Sequence, residues 1–243
     1  MTQPVHDRLI AVLDVFIDEY GGRIRFRGIL TALLIHRMTL AGTGISASEV
    51  RKVSGAPLET IRRNFAPHVD KGNLITVPDP DDDRVVRYKS TDSERHQLTA
   101  RRMAGRLLAI QPSEIQEAAD QRPFGTATYD ALIDVLQAFA DVFDDGVRIR
   151  GIKMAVIILQ ASYSGEGITP SQIARRSGGA LETVRRSIQE HVEMGILRTE
   201  EDPEDHRAYR VFYKDPESVT RHLDRIAQSL DQVDWAAFNL NDD

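Results

Sequence analysis

Apolar residues recur along this chain at helical spacing, and the same arrangement is written twice. From His6 to about Tyr20, Leu9, Ile10, Val12, Leu13, Phe16 and Ile17 mark a helix. Gly21-Gly22 ends it. The matching segment, Tyr129 to Phe143, carries Leu132, Ile133, Val135, Leu136 and Phe139, and stops at Asp144-Asp145-Gly146. Next, Arg25-Phe26-Arg27-Gly28 and Arg148-Ile149-Arg150-Gly151 alternate charge and bulk, which predicts a short extended piece. Apolar helices are expected after them, over Ile29 to Leu40 and Ile152 to Tyr163.

The punctuation that follows also repeats. Ser46 with Glu49 is a capping-box pattern, and Thr169 with Gln172 is the same device with Pro170 at the first helical position. A short helix from Ala47 to Val53 leads into the turn Ser54-Gly55-Ala56-Pro57, matched by Ser177-Gly178-Gly179-Ala180. A second helix then places Leu58, Ile61, Phe65 and Val69 on one stripe, against Leu181, Val184, Ile188 and Val192. Pro67 sits inside that pattern in the first copy only and is expected to distort or shorten the helix. Gly72 and Gly195 close these helices. Strands are expected at Leu74 to Val77 and Val85 to Lys89, and at Leu197 to Glu200 and Ala208 to Tyr213, around acidic turns. Held at a constant offset of 123, residues 6–90 align with 129–213 without a gap, and 34 of 85 positions are identical. A duplication of this quality outranks other fold signals.

Each copy therefore reads as helix, glycine turn, helix and two-stranded ribbon, the outline of a winged helix-turn-helix. The fold expected is mostly α with small β wings, two such domains in tandem forming an intrachain pseudo-dimer. The domains are read as 6–98 and 129–215, with a helical linker over 99–128 and a C-terminal helix over 216–238. Within these, Ser93 to Ile110 and Pro216 to Phe238 are helical, and Pro112-Ser113-Glu114 opens a shorter helix.

Composition narrows the setting. Cysteine is absent, which excludes disulfides and thiolate metal sites and suits a reducing compartment. The longest apolar run, Met154 to Leu159, is far too short to span a bilayer. A cytoplasmic protein with no membrane partner is the expectation. The net charge of −6 argues mildly against non-specific nucleic-acid binding. It is unevenly spread: residues 6–90 hold 13 Lys/Arg and 11 Asp/Glu, whereas 129–213 hold 10 and 14.

The second helix of a helix-turn-helix enters the major groove. With Leu58, Ile61 and Phe65 inward, the outward positions are Glu59, Thr60, Arg62, Arg63 and Asn64. In the second copy they are Glu182, Thr183, Arg185, Arg186 and Ser187. Arginine pairs with both acceptors of guanine, threonine meets phosphate or a thymine methyl, and glutamate accepts from cytosine or orients a neighbouring arginine. The hairpin arginines Arg84 and Arg207, followed by Arg87 and Arg210, are placed to meet a minor groove or the phosphate backbone. For Asp81 to Asp83 beside them, the readings are that they point away or hold the arginine. No metal site and no cofactor are expected: His68 and His191 share a column, but no second ligand recurs at metal spacing. No nucleophile elbow, phosphate-cradling glycine loop or His-Glu metal motif occurs, so an enzyme is not expected.

The motif Asp202-Pro203-x-Asp205-x-Arg207-Ala208, echoed by Asp79-Pro80-x-Asp82-x-Arg84, resembles the wing of the MarR family of bacterial transcription regulators. That resemblance covers about 170 residues by the repeat arithmetic. It implies a largely helical regulator of near-palindromic operators. It places Arg84 and Arg207 at the minor groove, and Thr60, Arg62, Arg63, Thr183, Arg185 and Arg186 in the major groove. Family members usually carry one unit per chain and dimerise through terminal helices; here one chain carries two. The partner expected is double-stranded DNA, read as an imperfect palindrome and repressed by occlusion, with self-association or another regulatory protein as a further partner. The competing reading is a protein-interaction scaffold that kept the fold and lost DNA binding, motivated by the acidic second copy.

Overall fold

The computed structural model describes residues 3–119, 123–143 and 147–238, with the side chains of Gln3 and Pro4 left aside. It is mostly helical, with two small antiparallel sheets. The first copy comprises α1 (Gln3–Tyr20), α2 (Phe26–Leu40), β1 (Ile45–Ser46), α3 (Ala47–Ser54), α4 (Leu58–Asp70), β2 (Leu74–Pro78), β3 (Val86–Ser90) and α5 (Ser93–Leu108). After α6 (Ser113–Ala119), the second copy comprises α7 (Thr126–Ala140), α8 (Ile149–Tyr163), α9 (Pro170–Ser177), α10 (Leu181–Glu193), β4 (Leu197–Glu201), β5 (Tyr209–Tyr213) and α11 (Pro216–Leu230). A single 3-10 turn follows at Trp235–Ala237. Every helix and hairpin strand of the second copy starts 123 residues after its counterpart, including α5 and α11, which lie beyond the aligned identities. The first sheet has the order β1-β3-β2; in the second copy the place of β1 is taken by a single bridge, Ile168 to Val211.

The chain forms two compact units, and neither is one copy. Unit 1 is built from residues 1–24 and 146–231, and unit 2 from 25–145 and 232–243. In unit 1, α1 packs on α8, and Leu9, Val12, Leu13 and Phe16 join Ile152, Val156 and Leu159 in the core. In unit 2, α7 packs on α2, and Phe139 stacks on Phe26 with centroids 5.4 Å apart. These boundaries differ from the sequence-derived 6–98 and 129–215 in the leading helix of each copy. The two leading helices share their apolar columns, so the hydrophobic pattern alone does not say which α2-type helix each one covers.

Local expectations are corrected at three places. The Arg-Phe-Arg-Gly and Arg-Ile-Arg-Gly stretches are not extended: α2 begins at Phe26 and α8 at Ile149. Phe26 and Ile149 are buried and begin the helical stripe, so the alternation was the first turn of a helix. Pro67 does not shorten α4, which has 13 residues, as does α10. Its ring lies on the exposed side, and its carbonyl still accepts from the Lys71 amide at 3.2 Å. The helix expected over 216–238 ends at Leu230, because Val233, Trp235 and Phe238 are buried in unit 2 and leave the stripe of α11. The expected stop at Asp144-Asp145-Gly146 lies outside the described residues.

Candidate nucleic-acid interface

The α3-turn-α4 stretch is set by its caps. The Ser46 hydroxyl accepts from the Glu49 amide, and Glu49 accepts from the Ser46 amide, a closed capping box. Thr169 and Gln172 do the same for α9. Both short helices end in a left-handed glycine, Gly55 and Gly178, each with φ of 69°. That conformation is costly for any residue with a Cβ, so the direction in which α4 and α10 leave the turn depends on glycine.

In α4, Ile61 and Phe65 are buried, and Phe65 meets Tyr88 of β3 edge to face at 4.6 Å. In α10, Val184 and Ile188 take the same columns. Leu58, Val69, Leu181 and Val192 are half-buried at the ends of the stripe. Opposite it, Glu59, Arg62, Arg63 and Asn64 are exposed and Thr60 is half-buried. Glu182, Thr183, Arg185 and Arg186 are exposed, while Ser187 is half-buried and its carbonyl meets His191 Nδ1 at 2.7 Å. Among the described residues, none of the four arginines Arg62, Arg63, Arg185 and Arg186 has a hydrogen-bond or ion-pair partner. Four guanidiniums are thus held on rigid helices with their donors free.

The hairpin arginines divide into two kinds. Arg87 is half-buried: its Nε donates to Asp79 Oδ2 at 2.5 Å, Nη1 to the Gly44 carbonyl at 3.0 Å and Nη2 to Glu49 Oε1 at 3.3 Å. Arg210 repeats this, donating from Nε to Asp202 Oδ1 at 3.1 Å and from Nη1 to the Glu166 carbonyl at 2.9 Å. Both fasten the hairpin to the loop before α3 or α9, and so orient it rather than offering free donors. Amide donation from Asp81, then the Arg87 hydrogen bond, holds the Asp79 carboxyl below its ordinary range; the Glu204 amide does the same for Asp202. Burial pushes Glu49 up, but donation from Ser46 and the nearby Arg87 outweigh it, and its net shift is downward.

Arg84 and Arg207 sit at the hairpin tips. Arg84 is 90% exposed, and its Nε and Nη2 grip Asp82 at 3.0 and 3.3 Å. Of the two readings of the acidic turn, holding the arginine is the one that applies to Asp82. Arg207 is exposed, and Asp205 accepts its backbone amide at 3.0 Å and not its guanidinium. The fastening role of Arg87 and Arg210 was not seen in the sequence. Its signal was present, since an aspartate stands eight residues before the arginine in both copies.

The charge of the helical pair is the same in both copies. Residues 47–70 and 170–193 each carry four Lys/Arg and three Asp/Glu. The acidity of the second copy therefore lies outside its two short helices. Unit 1 also has a cleft of about 650 Å³ beside α9, lined by His6, Asp7, Gln160, Tyr163, Arg175 and Arg176 among others. There Gln160 donates to Asp7 at 2.8 Å and accepts from Arg176. In unit 2 the columns of Asp7 and Gln160 hold Asp130 and Arg37, which form a direct two-point ion pair.

Among the described residues no helix is long and apolar enough to cross a membrane, and no group of three His, Asp or Glu side chains is placed to hold a metal. A scan against protein-family models matches no family, and a search of curated proteins finds no match.

Proposed function

We propose that this protein binds double-stranded DNA sequence-specifically and regulates transcription, with each copy acting as a MarR-like winged helix-turn-helix. In this reading α4 and α10 enter major grooves, and Arg62, Arg63, Arg185 and Arg186 supply donors to guanine edges and phosphates. Arg84 and Arg207 at the hairpin tips meet the flanking backbone or minor groove. Arg87 and Arg210 position the hairpins through Asp79 and Asp202. The paired helices read two related half-sites of a pseudo-palindrome, and repression by occluding a promoter is the default output.

The observation that carries this reading is the recurrence, at the same columns, of two unpartnered arginines on the exposed face of the helix after the glycine turn. The equal charge of residues 47–70 and 170–193 supports it against a scaffold whose second copy has turned acidic. The test is in vitro selection from a random duplex library with the full-length chain. Enrichment of two related half-sites is expected. If the folded protein enriches no duplex, the DNA reading fails and the protein-interaction scaffold takes its place.

A further inference from the structure

We propose that His36 and His96 form an acid-sensitive latch that holds α5 on α2 in unit 2. His36 lies on α2 and His96 on α5, with ring centroids 3.6 Å apart and planes 18° from parallel. The columns 123 residues on hold Leu159 on α8 and Val219 on α11, where α11 packs on α8. At these two columns one copy holds two aliphatic side chains and the other two stacked imidazoles.

Neutral imidazoles stack without cost, and a proton changes that. His36 Nδ1 is buried with no hydrogen-bond partner, so a cation there has no acceptor beside it. A proton on each ring would place two like charges in contact. Asp92, at the start of α5, favours charging His96, and Arg95 opposes it; His96 is the charged-state neighbour of His36.

Burial, then the neighbouring His96, pushes His36 down to about 3, and burial lowers His96 as well. The released state takes up protons at the ordinary value of about 6.5, whereas the docked state resists them. Docking is therefore complete above about pH 6.5 and weakens as pH falls toward the docked value, by about tenfold per pH unit for His36. At pH 5.0 the docking equilibrium of α5 is expected to be about 30-fold weaker than at pH 7.5 from His36 alone. The inference does not depend on DNA binding.

Hydrogen exchange on the full chain at pH 7.5 and 5.0, corrected for intrinsic rates, tests it. The amides of α5 should lose at least about tenfold in protection at pH 5.0. The variant H36L/H96V, which installs the residues of the other copy, should abolish the loss. The converse variant L159H/V219H should increase the loss of protection in α11 at pH 5.0 over that of the unmodified chain, and it gives an answer should the first variant not fold. Unchanged protection of α5 at pH 5.0, or a loss that persists in H36L/H96V, overturns the proposal.

Discussion

The two units are assembled from the same columns, yet they close the joint beneath the leading helix differently. In unit 1, Lys153 of α8 is 7% exposed and its ammonium reaches Asp14 of α1 at 2.5 Å. In unit 2 the column of Lys153 holds Leu30, which is 2% exposed, and the ion pair lies at the margin between Arg37 and Asp130. The column of Asp14 holds Gln137 on α7. Were α7 to pack on α8 in the same register, Lys153 would face an amide instead of a carboxylate. A buried lysine without a counterion is strongly disfavoured. This substituted pair thus favours α1 over α7 as the leading helix on α8.

Breaking this difference should give unequal effects. Asp14→Ala strands a buried ammonium and should cost about 3–5 kcal/mol of unit 1 stability. Asp130→Ala removes a partly exposed pair and should cost about 1 kcal/mol or less in unit 2. Denaturant unfolding checks both, and equal costs would remove Asp14 from its specifying role. A smaller contrast is expected at Gly167 and Gly44, with φ of 62° and 68°. A Cβ on Gly167 would enter the ring of Phe212, whereas on Gly44 it would meet Lys89 Cγ at 2.8 Å and the Tyr88 carbonyl oxygen at 3.0 Å. Gly167→Ala should cost about 3 kcal/mol, from backbone strain plus overpacking. Gly44→Ala should cost about 2 kcal/mol, from strain plus the close approach to the Tyr88 carbonyl. Thermal unfolding of the two variants compares them.

Much of the local structure was legible, because local physics decided it. The Ser46–Glu49 and Thr169–Gln172 boxes fixed helix starts, and Gly55 and Gly178 fixed the turns. The exposed and buried faces of α4 and α10 followed from the spacing of Ile61 and Phe65 and of Val184 and Ile188. The exchange of leading helices was not legible, since α1 and α7 share most of their apolar columns and the Lys153–Asp14 pair that tells them apart forms only once α1 lies on α8. The two-histidine junction escaped for a related reason: His96 lies past the last aligned column, and its partnership with His36 exists only once α5 folds back on α2. Arg87 and Arg210 looked like free cations because the aspartates that hold them stand across the hairpin.

The proposed function rests on the four unpartnered arginines of α4 and α10. The direct measurement is duplex affinity at fixed salt for three variants on a selected site: R62A/R63A, R185A/R186A and the control K214A. Each arginine pair should weaken binding by at least about tenfold, consistent with about 1–3 kcal/mol for a good base contact, while K214A stays close to the unmodified chain. Arginine variants that bind as K214A does would contradict the assignment of these helices to the groove.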